Sequence, residues 1–198
     1  MNDAIRIIKT EILSKKWATL KLVTLEYLQK DGSWQPQTRE AYDRGNGAAI
    51  LLCNKGQQSV ILTRQFRLPA YINGNLTGML IEVCAGKLDN DSPEVCIKRE
   101  TEEETGYQIR EVRKVMEAYM SPGSVTEILY FFVAEYTANM KINDGGGVAH
   151  EHENIEVLEM DFNDAMAKIE SGEIRDAKTI MLLQYAKLKN LLQPGNTI

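Results

Sequence analysis

Four acids crowd the segment Arg99-Glu100-Thr101-Glu102-Glu103-Glu104-Thr105-Gly106. On a helix, at about 100° per residue, Glu100, Glu103 and Glu104 fall on one face and Glu102 points nearly the opposite way. Like charges at i, i+3 and i, i+4 repel, so such a face is either left in open water or given a cation to hold. An all-oxygen donor set suits a hard divalent ion such as Mg²⁺, which commonly sits between carboxylates and substrate phosphates. A solvated acidic face is the bland alternative. The rest of the composition narrows the chemistry. A net charge of −5 argues against a phosphate-neutralising surface for DNA or RNA. The two histidines, His150 and His152, share one Gly-rich acidic segment, which makes them loop residues more readily than ligands or a triad base. Three cysteines without CxxC spacing fit reduced, buried thiols.

The acids need a helix, and its ends are written in the chain. Ser92 offers an N-cap hydroxyl, Pro93 suits the first helical position, and Gly106 suits the left-handed position beyond the last turn, so a helix is predicted over 93–105. Further helices are predicted over 160–170 and, from apolar periodicity, over 180–192. Strand-like runs occur at 20–28 and 38–42 around an Asp31-Gly32 turn, then at 48–53, 60–64, 78–84, 113–119 and 129–136. Gly145, Gly146 and Gly147 read as a mobile, hinge-like loop. With 43% hydrophobic and 26% charged residues, 198 residues form an ordinary globular chain. Its elements favour an α/β sandwich over a doubly wound sheet. The expected division is an N-terminal β-rich unit, 1–45, followed by a larger domain, 46–198. The longest apolar run, 128–134, has seven residues against the roughly 18 a membrane span requires. The N-terminus lacks the apolar core of a signal peptide, so a cytoplasmic protein with no membrane partner is expected.

The run from Gly86 to Tyr107 resembles the Nudix box: a glycine, a spaced Glu, then Arg-Glu-apolar-any-Glu-Glu-any-Gly-apolar. Three departures stand out. The Gly86 to Arg99 spacing is one residue short, Ser92 stands near the position of the first Glu, and Thr101 replaces an aliphatic residue. Pro122, sixteen residues after Gly106 in Ser121-Pro122-Gly123, is similar to the mark of the ADP-ribose and nucleotide-sugar pyrophosphatase branch of that family. The segments Tyr42-Asp43-Arg44-Gly45-Asn46-Gly47, Arg64-Gln65-Phe66-Arg67, Gly145-Gly146-Gly147-Val148 and Gly172-Glu173-Ile174-Arg175-Asp176 extend the resemblance over nearly the whole chain.

The resemblance implies an α/β/α Nudix sandwich with a small N-terminal antiparallel β extension, acting as a homodimer. The implied reaction is Mg²⁺-dependent hydrolysis of a nucleoside-diphosphate sugar, GDP-mannose to GMP and mannose 1-phosphate, with Mn²⁺ a substitute metal. An ADP-ribose or ADP-sugar substrate is the alternative, and a non-catalytic nucleotide-binding module is a reading of another class that the intact acids disfavour. Implied metal ligands are the Ala85 carbonyl and the carboxylates of Glu100 and Glu104, with Glu103 and Arg99 in support. The acid that positions or deprotonates water is expected after the glycine cluster. There the chain is two residues longer than the family pattern: alignment from Ile155 selects Glu153, the preferred choice, and alignment from Gly147 selects Glu151. Arg39 and Arg67 match phosphate or sugar contacts, guanidinium being suited to binding two oxygens at once; a salt bridge is the competing reading. Trp17 matches a base-stacking position, with core or dimer interface as alternatives. Glu40, Glu127 and Lys178 match substrate-side positions or lie beside them.

Overall fold

The computed structural model describes residues 3–148, 154–193 and 195–196. The chain divides into two compact units, Met1–Asn46 with Tyr119–Ile128, and Gly47–Ala118 with Leu129–Ile198.

The first unit is an antiparallel sheet of β1 (Ile5–Lys15), β2 (Thr19–Leu28) and β3 (Trp34–Asp43), in that order. At the β2–β3 turn, Asp31 accepts hydrogen bonds from the amide and hydroxyl of Ser33, and Gly32 takes φ +86°. β1 does not announce itself in the sequence, because bulges between Ile7 and Lys9 and between Ile12 and Ser14 break its alternation. The Ser121-Pro122-Gly123 stretch belongs to this unit: beyond it, the Tyr42 amide donates to the Ser124 carbonyl at 2.8 Å, and the Thr126 amide to the Tyr42 carbonyl at 3.1 Å.

The second unit contains β4 (Gly47–Asn54), β5 (Ser59–Phe66), α1 (Leu68–Ile72), β6 (Met79–Glu82), β7 (Cys84–Lys87), α2 (Pro93–Thr105), β8 (Arg113–Tyr119), β9 (Ile128–Glu135), β10 (Glu156–Asp161), α3 (Phe162–Ser171) and α4 (Ala177–Leu188). The sheet runs β10-β5-β4-β9-β8, with β4 and β9 parallel. β4 and β5 pair only from Leu52–Asn54 to Ser59–Ile61 and then diverge. The chain from 79 to 87 fills the gap, β6 pairing with β5 and β7 with β4. The sequence reading runs these two strands partly together as 78–84. Val83 stands at the changeover, and its amide donates to the Thr179 hydroxyl at 2.8 Å.

Every residue of β4 is buried. Ala48, Ile50 and Leu52 join a cluster with Cys96 and Ile97 of α2. The alternate residues Ala49, Leu51 and Cys53 turn away from that cluster. Both α2 and α4 pack on β4, and α4 buries Leu182, Leu183 and Ala186. This is the helix–sheet–helix sandwich that the sequence predicts. Two helix boundaries differ. Met160 and Asp161 are strand, paired with Val60 and Ser59, and the Asp161 carboxylate caps α3 by accepting from the amides of Asn163 and Asp164. α4 ends at Leu188: Asn190 takes φ +50° and the Leu191 amide reaches back to the Ala186 carbonyl, so Leu191 and Leu192 are buried from a turn.

Candidate active site

α2 begins as its sequence dictates. The Ser92 side chain accepts from the Val95 amide, Pro93 occupies the first turn, and Gly106 ends the helix at φ +78°. Thr101, where the box has an aliphatic residue, is fully buried because its hydroxyl donates to the Ile97 carbonyl at 2.6 Å and needs no other partner. Ile97, Thr101 and Glu104 form one buried stripe, so Glu104 is a carboxylate in a core position, 2% exposed. Its Oε2 accepts from the Ala85 amide at 3.3 Å. Glu100, one turn earlier, presses on the next residue of β7: a Cβ on Gly86 would stand 2.0 Å from the Glu100 Cδ. Lacking that Cβ, Gly86 lets the carboxylate approach the backbone. Both acids are therefore gathered at Ala85-Gly86, and Arg99 pairs with the first of them and with Glu103. Its Nη2 lies 2.9 Å from Glu100, its Nη1 2.8 Å from Glu103, and its Nε 3.6 Å from Asp91. Glu102 points elsewhere and takes a long hydrogen bond from Gln108.

The glycine cluster is not the free hinge that its composition predicts. The amides of Gly146 and Gly147 donate to the carbonyls of Glu104 and Glu103 at 2.9 and 3.0 Å. These are last-turn carbonyls that no helical partner can reach. Gly145 and Gly106 pack so closely that a Cβ on Gly106 would lie 2.1 Å from the Asn143 carbonyl oxygen. The loop is bolted to the end of the helix that carries the acids.

Among the described residues, no three His, Cys, Asp or Glu side chains are grouped to hold a metal. The groups at Ala85-Gly86 nevertheless fit a hard divalent ion in kind. They are oxygen donors, two carboxylates one turn apart against the Ala85-Gly86 backbone, in a cradle that a side chain at residue 86 would fill. Glu151 and Glu153, with His150 and His152, lie outside the described residues.

Arg67 and Lys178 meet on a residue that sequence reasoning missed. Glu82, the last residue of β6, is 1% exposed and accepts from Arg67 Nε and Nη2 at 2.9 and 2.8 Å and from Lys178 Nζ at 2.7 Å. Burial would raise this carboxyl, but the Arg67 hydrogen bonds and the Lys178 and Arg67 charges outweigh it and hold it at about 2. Lys178 also pairs with Asp176 at 3.0 Å, and Asp176 Oδ2 accepts from the amide and hydroxyl of Thr179, the residue that holds Val83. The available signal was a lone acid inside the apolar run Met79-Leu80-Ile81-Glu82-Val83-Cys84: a buried charge demands partners.

The remaining predicted contacts belong to the first unit. Trp17 lies between β1 and β2 and is 68% exposed, which removes the core reading. The Arg44 guanidinium sits 5.3 Å from the centre of its ring and 3.5 Å from Glu127. Arg39 and Glu40 are exposed on β3, opposite Val23 and Leu22 of β2. Cys53, Cys84 and Cys96 are free and buried. Burial pushes the Cys53 and Cys96 thiols up to about 12, and Cys84 rises as well, through burial and the Glu104 charge, so all three stay protonated.

Comparison with known proteins matches the chain to two family models. Residues 4–42 match the model described as GDP-mannose pyrophosphatase NudK N-terminal domain, and residues 43–183 match that of the NUDIX domain. The chain is 54% identical over 192 residues to a GDP-mannose pyrophosphatase of Shigella flexneri, covering 97% of this chain and all of that one. It is 55% identical over 193 residues to one from Yersinia enterocolitica, covering 98% of this chain and all of that protein. For a Yersinia pestis protein of the same name the identity is 56% over 188 residues, covering 95% and 94%. Nudix hydrolases generally need a divalent metal, in keeping with the donor set at Ala85-Gly86. With the family model spanning most of the chain and relatives this similar along its length, the protein belongs to the Nudix hydrolases.

Proposed function

We propose that this protein hydrolyses the diphosphate linkage of a nucleoside-diphosphate sugar, GDP-mannose to GMP and mannose 1-phosphate, with Mg²⁺ at Ala85, Glu100 and Glu104. The observation that carries this reading is the convergence of the Glu100 and Glu104 carboxylates on the Ala85-Gly86 backbone. The names of the relatives supply the substrate.

A divalent cation held there would neutralise the diphosphate and acidify a water molecule. The protein's own part is positional. Arg99 keeps Glu100 and Glu103 from repelling one another before the metal binds. Arg67 and Lys178 bring positive charge to phosphate oxygens. Glu153, with Glu151 as the alternative, takes the proton of the attacking water as its oxygen bonds to phosphorus and the bridging P–O bond breaks. Trp17 stacks on the base, and Arg39, Glu40 and Glu127 hold the nucleotide or sugar. The working form is a cytoplasmic homodimer. The dimer is supported by the outer strand β1, which exposes Ile5, Ile7, Ile8, Ile12 and Leu13. No helix of the described residues is long and apolar enough to cross a membrane.

The test is product analysis with Mg²⁺ and a panel of GDP-mannose, ADP-ribose, ADP-glucose and UDP-glucose. Release of GMP and mannose 1-phosphate well ahead of the others is expected. Preference for an ADP compound overturns the substrate and keeps the mechanism, whereas no turnover of any compound overturns the enzyme reading.

A further inference from the structure

Arg67 and Lys178 lie far apart in the chain, on the β5–α1 junction and in the first turn of α4, yet both end on the carboxylate of Glu82. The three groups are graded in exposure. Glu82 is sealed at 1%, the Lys178 side chain is 13% exposed, and that of Arg67 is 40% exposed. The anchor is dry and the cations reach outward from it. A guanidinium carries five N–H donors and an ammonium three. Glu82 engages two of the guanidinium donors through the Nε–Nη2 edge, and Glu82 with Asp176 engages two of the ammonium donors. Among the described residues, donors remain on both cations for further oxygens.

Fold stability alone is a weak reason for this arrangement, because a buried ion pair stabilises a fold no better than apolar side chains of the same volume. Location supplies a stronger one. Glu82 lies three residues before Ala85 on the run that changes from β6 to β7, and the Thr179 hydroxyl fixes the intervening Val83 amide. Arg67 is close enough to Glu104 for that charge to favour its cationic form. Long, flexible cationic side chains bind a diphosphate well only when their heads are already held in place.

We propose that Glu82 is a positioning residue that presents Arg67 and Lys178 together as a preformed two-cation clamp for the substrate's diphosphate, beside the acids of α2. This rests on the reading of the substrate as a diphosphate ester. Glu82 itself touches no substrate. It acts by fixing where the two cations point, and its burial keeps its charge from competing with phosphate in solution.

The test is E82Q, which keeps the volume and one acceptor but removes the charge, with circular dichroism and thermal melting to verify the fold; E82D, which keeps the charge but shortens the reach, replaces it if E82Q does not fold. KM for the nucleotide sugar should rise about tenfold or more, with a smaller fall in kcat. Affinity for inorganic pyrophosphate with Mg²⁺, measured by calorimetry without turnover, should fall in parallel. In an R67A/K178A background the same change at Glu82 should add little to either quantity. Unchanged KM and pyrophosphate affinity, a fall in kcat alone, or an undiminished effect in that background overturns the clamp, as does a wild-type protein that fails to bind pyrophosphate. If the wild type binds pyrophosphate, E82Q does not, and no nucleotide sugar is turned over, the functional reading fails and the clamp stands.

Discussion

Gly86→Ala is the smallest change that tests the architecture of the acidic site. The added Cβ would lie 2.0 Å from Glu100 Cδ, 2.3 Å from its Oε1 and 2.4 Å from its Cγ. Ordinary carbon–carbon contact lies near ~3.5 Å, so the carboxyl must retreat by about 1.5 Å. Metal-ligand bonds tolerate about 0.2 Å, and a misplacement of about 1 Å in a catalytic constellation can cost on the order of a hundredfold. Mg²⁺-dependent kcat/KM should therefore fall by about a hundredfold or more, near 2.7 kcal/mol of transition-state stabilisation. The fold should survive. Gly86 is not among the glycines with positive φ, the three atoms nearest the new Cβ all belong to one side chain, and an alanine here restricts the unfolded chain, a gain of about 0.4–1 kcal/mol that offsets part of the strain. The assay is steady-state GMP release across a Mg²⁺ titration, paired with thermal melting, in G86A, E100Q and the double variant. Since Gly86 acts through Glu100, G86A should cost almost nothing further once Glu100 is gone. A folded G86A protein with kcat/KM within threefold of wild type refutes the reasoning, and so does a collapse in melting temperature, because the neighbour then did not yield.

Removing the charge of Glu100 alone, as E100Q, should abolish most turnover at unchanged far-ultraviolet dichroism, and full activity would dismiss the metal assignment. Of E153Q and E151Q, the former should lower kcat by about 10²-fold or more at little cost in substrate affinity; the reverse ranking transfers the base to Glu151. Glu82 adds a pH signature. Its carboxyl is held at about 2 against an ordinary 4.5, so the unfolded chain binds the extra proton between those values, and the contribution is complete above about 4.5 and lost as pH falls through about 2. The stability difference between wild type and E82Q should shrink on the order of 3 kcal/mol across that window in denaturant titrations; a difference independent of pH disposes of the paired carboxylate. G106A combines a positive φ with a 2.1 Å approach to the Asn143 carbonyl oxygen, so it should lower the melting temperature where G86A does not.

What the sequence reveals follows the range of the forces involved. α2 is legible because a serine, a proline and a glycine act on their immediate neighbours, and the grouping of Glu100, Glu103 and Glu104 follows from helical geometry alone. β1 is hidden because two bulges shift its period, and the end of α4 because Leu191 and Leu192 continue an apolar rhythm from a turn. Met160 and Asp161 look helical until β5 supplies a partner strand. The union of Arg67 and Lys178 on Glu82 is a tertiary fact, signalled only by an acid amid apolar neighbours. The glycine cluster shows the converse error. Composition promises freedom, while the positive φ angles of Gly145, Gly146 and Gly147 serve to dock the backbone against α2.

That docking gives the acidic helix a second use as a survey mark. The Gly146 amide is tied to the Glu104 carbonyl, and the Gly146 carbonyl receives the amide of Ile155 at 3.2 Å. Departure and return of the intervening chain are thus referred to a single residue, Gly146, itself referred to the turn bearing Glu103 and Glu104. Residues inserted between those two points change the reach of the loop without displacing its origin. On the proposal that an acid of this loop meets the water, the two extra residues implied by the family pattern need not have disturbed anything upstream, and a change of loop length would retune which acid does so while the benchmark stays in place.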